Sequence, residues 1–182
     1  MRRPVLLLGG LVLAIVAAGV ASMSVPPGPR FAADNAELRG VYEDDQADRA
    51  RAGGRASGPA AVSMRERERR VKAIIERGRL TTGADYYHAA VVLQHGGEPS
   101  DLILAHELAM VALALGDERA RWLAAATLDR YLVERGQAQR WGTQYREAPG
   151  APAETLYSVE PGVTDTMRQV MDVPSLEERG KK

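Results

Sequence analysis

The three histidines of this 182-residue chain, His88, His95 and His106, lie within nineteen positions of one another. His88 and His95 are seven residues apart, so on a helix they share a face, and a hairpin turn near Glu98 would bring His106 back to the level of His88. Imidazoles titrate near neutral pH and can act as a general base or bind zinc. No carboxylate lies at a ligand spacing from them, so we predict no metal site and no cofactor. Interhelical hydrogen bonds are the structural alternative.

Four charged residues form a second group. Asp45 and Arg49 are four positions apart on one helical stripe, and Asp129 is followed directly by Arg130. Carboxylates and guanidiniums inside a small helical domain are costly unless they pair. The sequence leaves two interpretations open, a buried structural network or the polar lining of a pocket, and favours the network. In a pocket, the catalytic candidates are His95, Asp129 and Arg130.

The segment 139–145 is unusually polar and aromatic for a plain loop. Thr143 and Gln144 offer hydroxyl and amide groups, which bind polar ligands but are poor acids, bases and nucleophiles. The segment is therefore either a clamp, with Trp141 packed over the preceding helix, or a loop that orients a ligand. The ligand-binding candidates are accordingly Asp45, Arg49, His88, Thr143 and Gln144.

Several function classes lack their usual residues. The chain has no Gly-rich phosphate loop, no Gly-x-Ser-x-Gly elbow and no cysteine. Its 24 basic and 24 acidic side chains balance, and without Arg2 and Arg3 the remainder carries a formal charge of −2. We therefore expect no nucleic-acid partner. The alternating charges of residues 65–70 predict a solvated helix face.

The elements that must position these residues are helical. Ala, Leu, Arg and Glu are abundant and there is a single Phe, which favours an all-α fold of antiparallel helical hairpins in one small domain, residues 34–172. Periodicity and end signals predict helices over 34–51, 63–78, 82–96, 99–116 and 117–135, the second of them starting at a capping box, Ser63 to Glu66. A short strand over 155–159, a short helix over 164–171 and a flexible tail over 173–182 complete the prediction.

The N-terminus carries two arginines and then an apolar run from Pro4 to Ala21. This pattern is typical of a signal peptide or of an N-terminal membrane helix, and residues 1–23 fit either. If the leader is not cleaved, residues 4–25 would contact the membrane. A Pro-rich spacer, 24–33, follows it. Arg2 and Arg3 would stay on the cytoplasmic side, so we expect the domain to be exported, or anchored to the cytoplasmic membrane, on the extracytoplasmic side.

Two resemblances accompany these patterns. The alanine and glycine spacing between Tyr86 and Arg135 resembles Sel1-type and tetratricopeptide helical repeats. The short motifs Asp45-Gln46-x-x-Arg49, Gln94-His95-Gly96, Asp129-Arg130 and Gln139-x-x-Gly142-Thr143-Gln144 resemble the signature of an uncharacterised bacterial protein family, over residues 38–145. That family has no established activity, so the resemblance implies residues of interest and no reaction.

We expect, first, a protein or peptide interaction module built from helical hairpins. The alternative is a small extracytoplasmic enzyme, hydrolase-like, with a polar pocket. In that pocket His95 is the acid or base, and the substrate is positioned by Asp129, Arg130, Arg49 and Gln144.

Overall fold

A computed structural model of the chain describes residues 32–52, 59–146 and 155–179, with only the backbone described for residues 52, 59–62 and 179. Five long helices follow one another: α1 (Ala36–Ala52), α2 (Pro59–Glu76), α3 (Gly83–Leu93), α4 (Pro99–Ala114) and α5 (Ala120–Glu134). Short elements follow them: strands β1 (Tyr145–Arg146) and β2 (Thr155–Leu156), and helices α6 (Asp165–Val170) and α7 (Leu176–Arg179). The predicted all-α class is confirmed. The predicted leader, residues 1–23, and the predicted spacer up to residue 31 lie outside the described residues.

Local hydrogen bonds explain where the third helix begins. The Thr82 hydroxyl accepts from the Asp85 amide at 3.1 Å, while the Asp85 carboxylate accepts from the Thr82 amide at 3.2 Å. This reciprocal capping box satisfies amides that a helix start leaves without partners. The same carboxylate accepts from the Asn35 amide at 2.7 Å, so it also fixes the start of α1 against α3.

The second helix starts earlier than the sequence predicts. It begins at Pro59, so Ser63 lies one turn inside the helix and cannot be its cap. Proline suits the first helical turn because its missing N–H would have no partner there. The predicted capping box from Ser63 to Glu66 is therefore wrong, although the second helix itself is confirmed.

Small residues bring the central helices together. The helix α4 packs against both α3 and α5, and α1 and α2 cover α3 from the other side. Many of the buried core residues of these helices are alanines, whose small side chains allow close approach of the backbones. The fully or almost fully buried alanines are Ala89, Ala90, Ala105, Ala109, Ala112, Ala120, Ala124, Ala125 and Ala126. Among the described helices, none is long and apolar enough to cross a membrane.

The chain after α5 folds back over that helix. Strands β1 and β2 pair antiparallel, with Tyr145 opposite Leu156, and Gln139 forms an isolated bridge with Val159. The predicted short helix is present as α6. Val173, at the start of the predicted tail, is buried, and α7 follows it.

Candidate functional site

Three of the candidate residues meet where the second half of α1 faces the turn after α3. The Nδ1 atom of His95 lies 2.8 Å from Asp45 Oδ2 and 2.6 Å from Arg49 Nε. Asp45 is 1 % exposed, whereas the His95 side chain keeps 12 % of its surface exposed. The helical spacing puts Asp45 and Arg49 one turn apart, so both reach the same imidazole. We refer to Asp45, Arg49, His95 and Arg130 as the His95 cluster.

The two short contacts of His95 Nδ1 exclude one another chemically. A ring nitrogen that carries a proton donates it to Asp45, and one that carries none accepts from the Arg49 guanidinium. In the first state the other nitrogen, Nε2, is an unprotonated base. In the second state Nε2 carries the proton and cannot act as a base. The arrangement is therefore either an oriented general base or a structural clamp, depending on the tautomer.

Electrostatics keep this imidazole neutral. Burial is the main cause that lowers the pKa of His95; hydrogen bonding and charge from Asp45 oppose it, and the positive charges of Arg49 and Arg130 add to it. The pKa of Arg49 is also lowered, first by burial and then by the neighbouring guanidiniums Arg130 and Arg67, against the attraction of Asp45. A neutral histidine at pH 7 can accept a proton, which a general base requires.

Arg130 joins the cluster from α5. Its Nη1 donates to the carbonyl oxygen of Gln94 at 2.9 Å, so it holds the turn on which His95 lies. The predicted pair Asp129-Arg130 is split by the helix geometry, because consecutive residues point about 100° apart. Arg130 faces the turn after α3, while Asp129 faces the loop after α5.

Asp129 is the anchor of that loop. It is fully buried and accepts from the amides of Arg140, Trp141 and Thr143 at 2.7–2.9 Å, and from the Thr143 hydroxyl at 2.8 Å. Four donors around one carboxylate give both of its oxygens hydrogen-bond partners inside the protein. The candidates Asp129 and Thr143 therefore lie together, in a network whose hydrogen bonds differ from those of His95.

Gln144, the remaining candidate of that loop, is held by Gln139. The buried Gln139 amide donates to the carbonyls of Gln144 and Tyr157 and accepts from the Gln144 amide at 2.8 Å. The Gln144 side chain in turn donates to Ala126 O at 3.3 Å and to Thr143 Oγ1 at 3.0 Å. These contacts are those of the loop clamp, and they divide the predicted pocket residues between two networks.

The other two histidines have separate surroundings. The ring of His88 stacks on Tyr42 at a centroid distance of 4.3 Å, and its buried Nδ1 has no hydrogen-bond partner among the described residues. Burial, followed by the charge of Arg119, lowers its pKa. The Nδ1 of His106 lies 2.9 Å from the Ala124 carbonyl oxygen. Across the described residues, no group of three or more His, Cys, Asp or Glu side chains is placed to hold a metal ion.

Sequence reasoning missed two charged residues beside the cluster. Arg67 and Glu68 are both buried, so the predicted solvated face of residues 65–70 is wrong at these positions. Arg67 Nη1 donates to Asp48 at 2.8 Å, and its Nε lies 3.6 Å from Asp45 Oδ1. The apolar stripe of α2 could have indicated this burial. Arg67 and Glu68 lie four and three residues before Val71, so on a helix they share its buried face.

Two surface depressions of the described part of the chain lie away from the His95 cluster. One, of about 470 Å³, is bounded by the start of α3 and the turn before α5. The other, of about 410 Å³, lies between α6 and α7. The side chains of His95 and Arg49 keep 12 % and 26 % of their surface exposed, and a ligand of the cluster would approach these parts.

Comparison with known proteins adds no further assignment. No protein-family model matches the chain, and neither a curated protein nor a solved structure matches it. The resemblances to an uncharacterised bacterial family and to Sel1 or tetratricopeptide repeats stay predictions.

Proposed function

We propose that this protein is an extracytoplasmic, hydrolase-like enzyme with His95 as its general base. The observation that supports the proposal most is the 2.8 Å contact between His95 Nδ1 and a carboxylate that is almost completely buried. A buried carboxylate on Nδ1 orients an imidazole and stabilises the imidazolium that forms during proton transfer. This proposal reverses the order in which the sequence ranks the two functions.

The proposed step is a general-base reaction. His95 Nε2 removes a proton from a water molecule, and the resulting hydroxide attacks a carbonyl carbon of a polar substrate. The guanidiniums of Arg49 and Arg130 hold the substrate oxygen on which negative charge develops. His95 then returns the proton to the leaving group, so the imidazole is neutral again at the end of the cycle.

A matched pair of histidine variants tests this function. We expect His95→Gln in the full chain to lower hydrolysis of a panel of small esters and amides at least about 100-fold, because general-base catalysis contributes that much or more. His106→Gln is the control, since glutamine can still donate to the Ala124 carbonyl. Equal hydrolysis by the two variants, or no hydrolysis by the unmodified protein on any panel member, contradicts the proposal.

A second candidate is the interaction module that the sequence ranks first. Large apolar side chains stay exposed on the α4–α5 hairpin and on α6: Met110, Val111, Trp122, Met167 and Val170. Exposed aromatic and methionine side chains are frequent at protein interfaces. The partner of this candidate is a protein segment with an apolar face.

Site-specific photo-cross-linking distinguishes this candidate. A cross-linking residue at position 122 should form one adduct. Once the partner in that adduct is identified and purified, it should bind the Trp122→Ala variant at least about ten-fold more weakly than it binds the unmodified protein. The same residue at position 39, which is exposed on α1, is the control. Equal adducts at both positions, or none, rule the candidate out.

A further inference from the structure

Two buried carboxylates converge beside the turn that carries His95. Glu68, on α2, is 8 % exposed and Asp101, in the first turn of α4, is 2 % exposed. Glu68 Oε1 and Asp101 Oδ2 are both fully enclosed, and neither has a hydrogen-bond partner among the described residues. Both oxygens lie 3.1 Å from the point that a Cβ of residue 96 would occupy, so they face the same small space beside Gly96.

Two buried carboxylate oxygens that border one small space without a donor are electrostatically unfavourable. Lys72 Nζ lies 2.5 Å from Asp101 Oδ1 and neutralises one of the two charges, but it leaves both inner oxygens unsatisfied. Glu68, Asp101 and Lys72 together carry one excess negative charge. A single added proton neutralises the excess charge and supplies the missing hydrogen-bond donor.

We infer that Glu68 and Asp101 share one proton at neutral pH, with the Glu68 carboxyl group donating to Asp101 Oδ2. The pair then fastens α2 to α4 around Gly96 and holds the turn 94–97, which carries His95. This proton site lies outside the His95 cluster and does not depend on its proposed catalysis.

The surrounding charges agree with this assignment. The pKa of Glu68 is raised, first by burial and then by the negative charge of Asp101, with a smaller contribution in the same direction from Glu98. Lys72 and Arg65 act in the opposite direction. A divalent cation fits less well, because such ions take six or more oxygen ligands, and the oxygens found nearest to the Cβ position at residue 96 are three, from Glu68, Asp101 and the Leu93 carbonyl.

Infrared spectroscopy of the full chain tests the shared proton. At pH 7 we expect a protonated-carboxyl C=O band of about one group per molecule, present in the unmodified protein and in Glu66→Gln but absent from Glu68→Gln. Glu66 is a matched control on the same helix, since its side chain is 51 % exposed and pairs with Arg69 at the surface. No such band, or a band that survives in Glu68→Gln, overturns the inference.

Thermal unfolding gives a second readout that also detects a bound cation. A carboxyl group with a raised folded pKa stabilises the protein below its unfolded pKa, and this contribution is lost as pH rises through the folded pKa. The midpoint of unfolding should therefore fall less steeply with rising pH in Glu68→Gln than in Glu66→Gln. A midpoint that falls on chelation with EDTA and recovers with Ca²⁺, only when Glu68 is present, overturns the inference in favour of a cation site.

Discussion

Asp129 shows how one side chain can organise a loop at the scale of a residue. Its two oxygens accept from three backbone amides and one hydroxyl between Arg140 and Thr143, and the residue is fully buried. The carboxylate acts on this loop as a capping residue acts on a helix end. It supplies acceptors to neighbouring amides that secondary structure leaves unpaired.

Removal of that carboxylate should destabilise the whole protein. We expect Asp129→Ala to lower the free energy of unfolding by roughly 3 kcal/mol, because four buried donors lose their acceptor. Glu66→Ala, which removes an exposed carboxylate, should change it by less than about 0.5 kcal/mol. Urea denaturation measures both, and equal effects of the two variants would show that Asp129 does not anchor the loop.

His88 should make the folded state sensitive to acid. Burial lowers its pKa below the ordinary value of 6.5, so between the folded and unfolded pKa values the unfolded chain binds more protons. The contribution of His88 to stability is therefore complete above about pH 6.5, and it falls as pH decreases toward the lowered pKa. His88→Phe keeps an aromatic ring against Tyr42 and should reduce the slope of unfolding free energy against pH between 6.5 and 5. An unchanged slope would exclude His88 as the group responsible.

At the scale of elements, the small helix α6 fixes the loop from the side opposite Asp129. Arg168 is almost fully buried, and its guanidinium donates to the carbonyls of Trp141 at 3.0 Å, Val163 at 2.6 Å and Arg140 at 3.4 Å. The planar, fork-shaped group can bind several carbonyls at once, which a lysine ammonium cannot.

Arg168→Lys should therefore loosen this segment without unfolding the helices. We expect a loss of about 1–3 kcal/mol in stability and faster proteolysis within residues 139–146, while the circular dichroism signal of the helices stays unchanged. The measurement is limited trypsin digestion followed by mass spectrometry. Digestion at the same rate in both proteins would contradict the anchoring role.

Local signals predicted the helices better than they predicted the surfaces that the helices bury. Thr82 and Asp85 mark the start of α3 because their hydrogen bonds span three residues, and Gly116 and Gly136 end helices with positive φ angles that glycine adopts freely. Burial of Arg67 and Glu68 depends on how α2 packs on α1 and α3. The alternating charges of residues 65–70 do not indicate that packing, so the predicted solvated face was wrong at Arg67 and Glu68.

At the scale of the whole molecule, the site was predictable in part. The helical spacing of Asp45 and Arg49 predicted that these two residues share a face, and the pocket hypothesis placed Arg49 and Arg130 beside His95. The contact between His95 and Asp45 was not predicted. The sequence could not predict that Arg130 and Asp129 join different hydrogen-bond networks. One face of α5 meets the turn after α3 and another meets the folded-back chain, and the sequence does not show which residue lies on which face. Gln139 was named only within a motif, yet its amide makes the central contacts of the loop.

The sequence of the leader predicts that the domain lies outside the cytoplasm. A C-terminal alkaline phosphatase fusion of the full chain should be active in a bacterial host, since that enzyme requires export to fold. Replacement of Arg2 and Arg3 by glutamate should lower that activity several-fold, and the same change at Arg69 and Arg70 is the control. An inactive fusion with the natural leader would contradict the predicted extracytoplasmic location.

The tautomer of His95 tests the central claim most directly. Long-range ¹H–¹⁵N correlation spectra of the imidazoles in the full chain, at pH 7.5, distinguish a proton on Nδ1 from one on Nε2. His106 is the internal standard, because its Nδ1 faces a carbonyl oxygen, which can only accept. The proposed enzyme predicts that His95 is protonated on Nδ1, toward Asp45, and that Asp45→Asn removes this preference. A proton on Nε2, with Nδ1 accepting from Arg49, would make the cluster a structural clamp and contradict the proposed function.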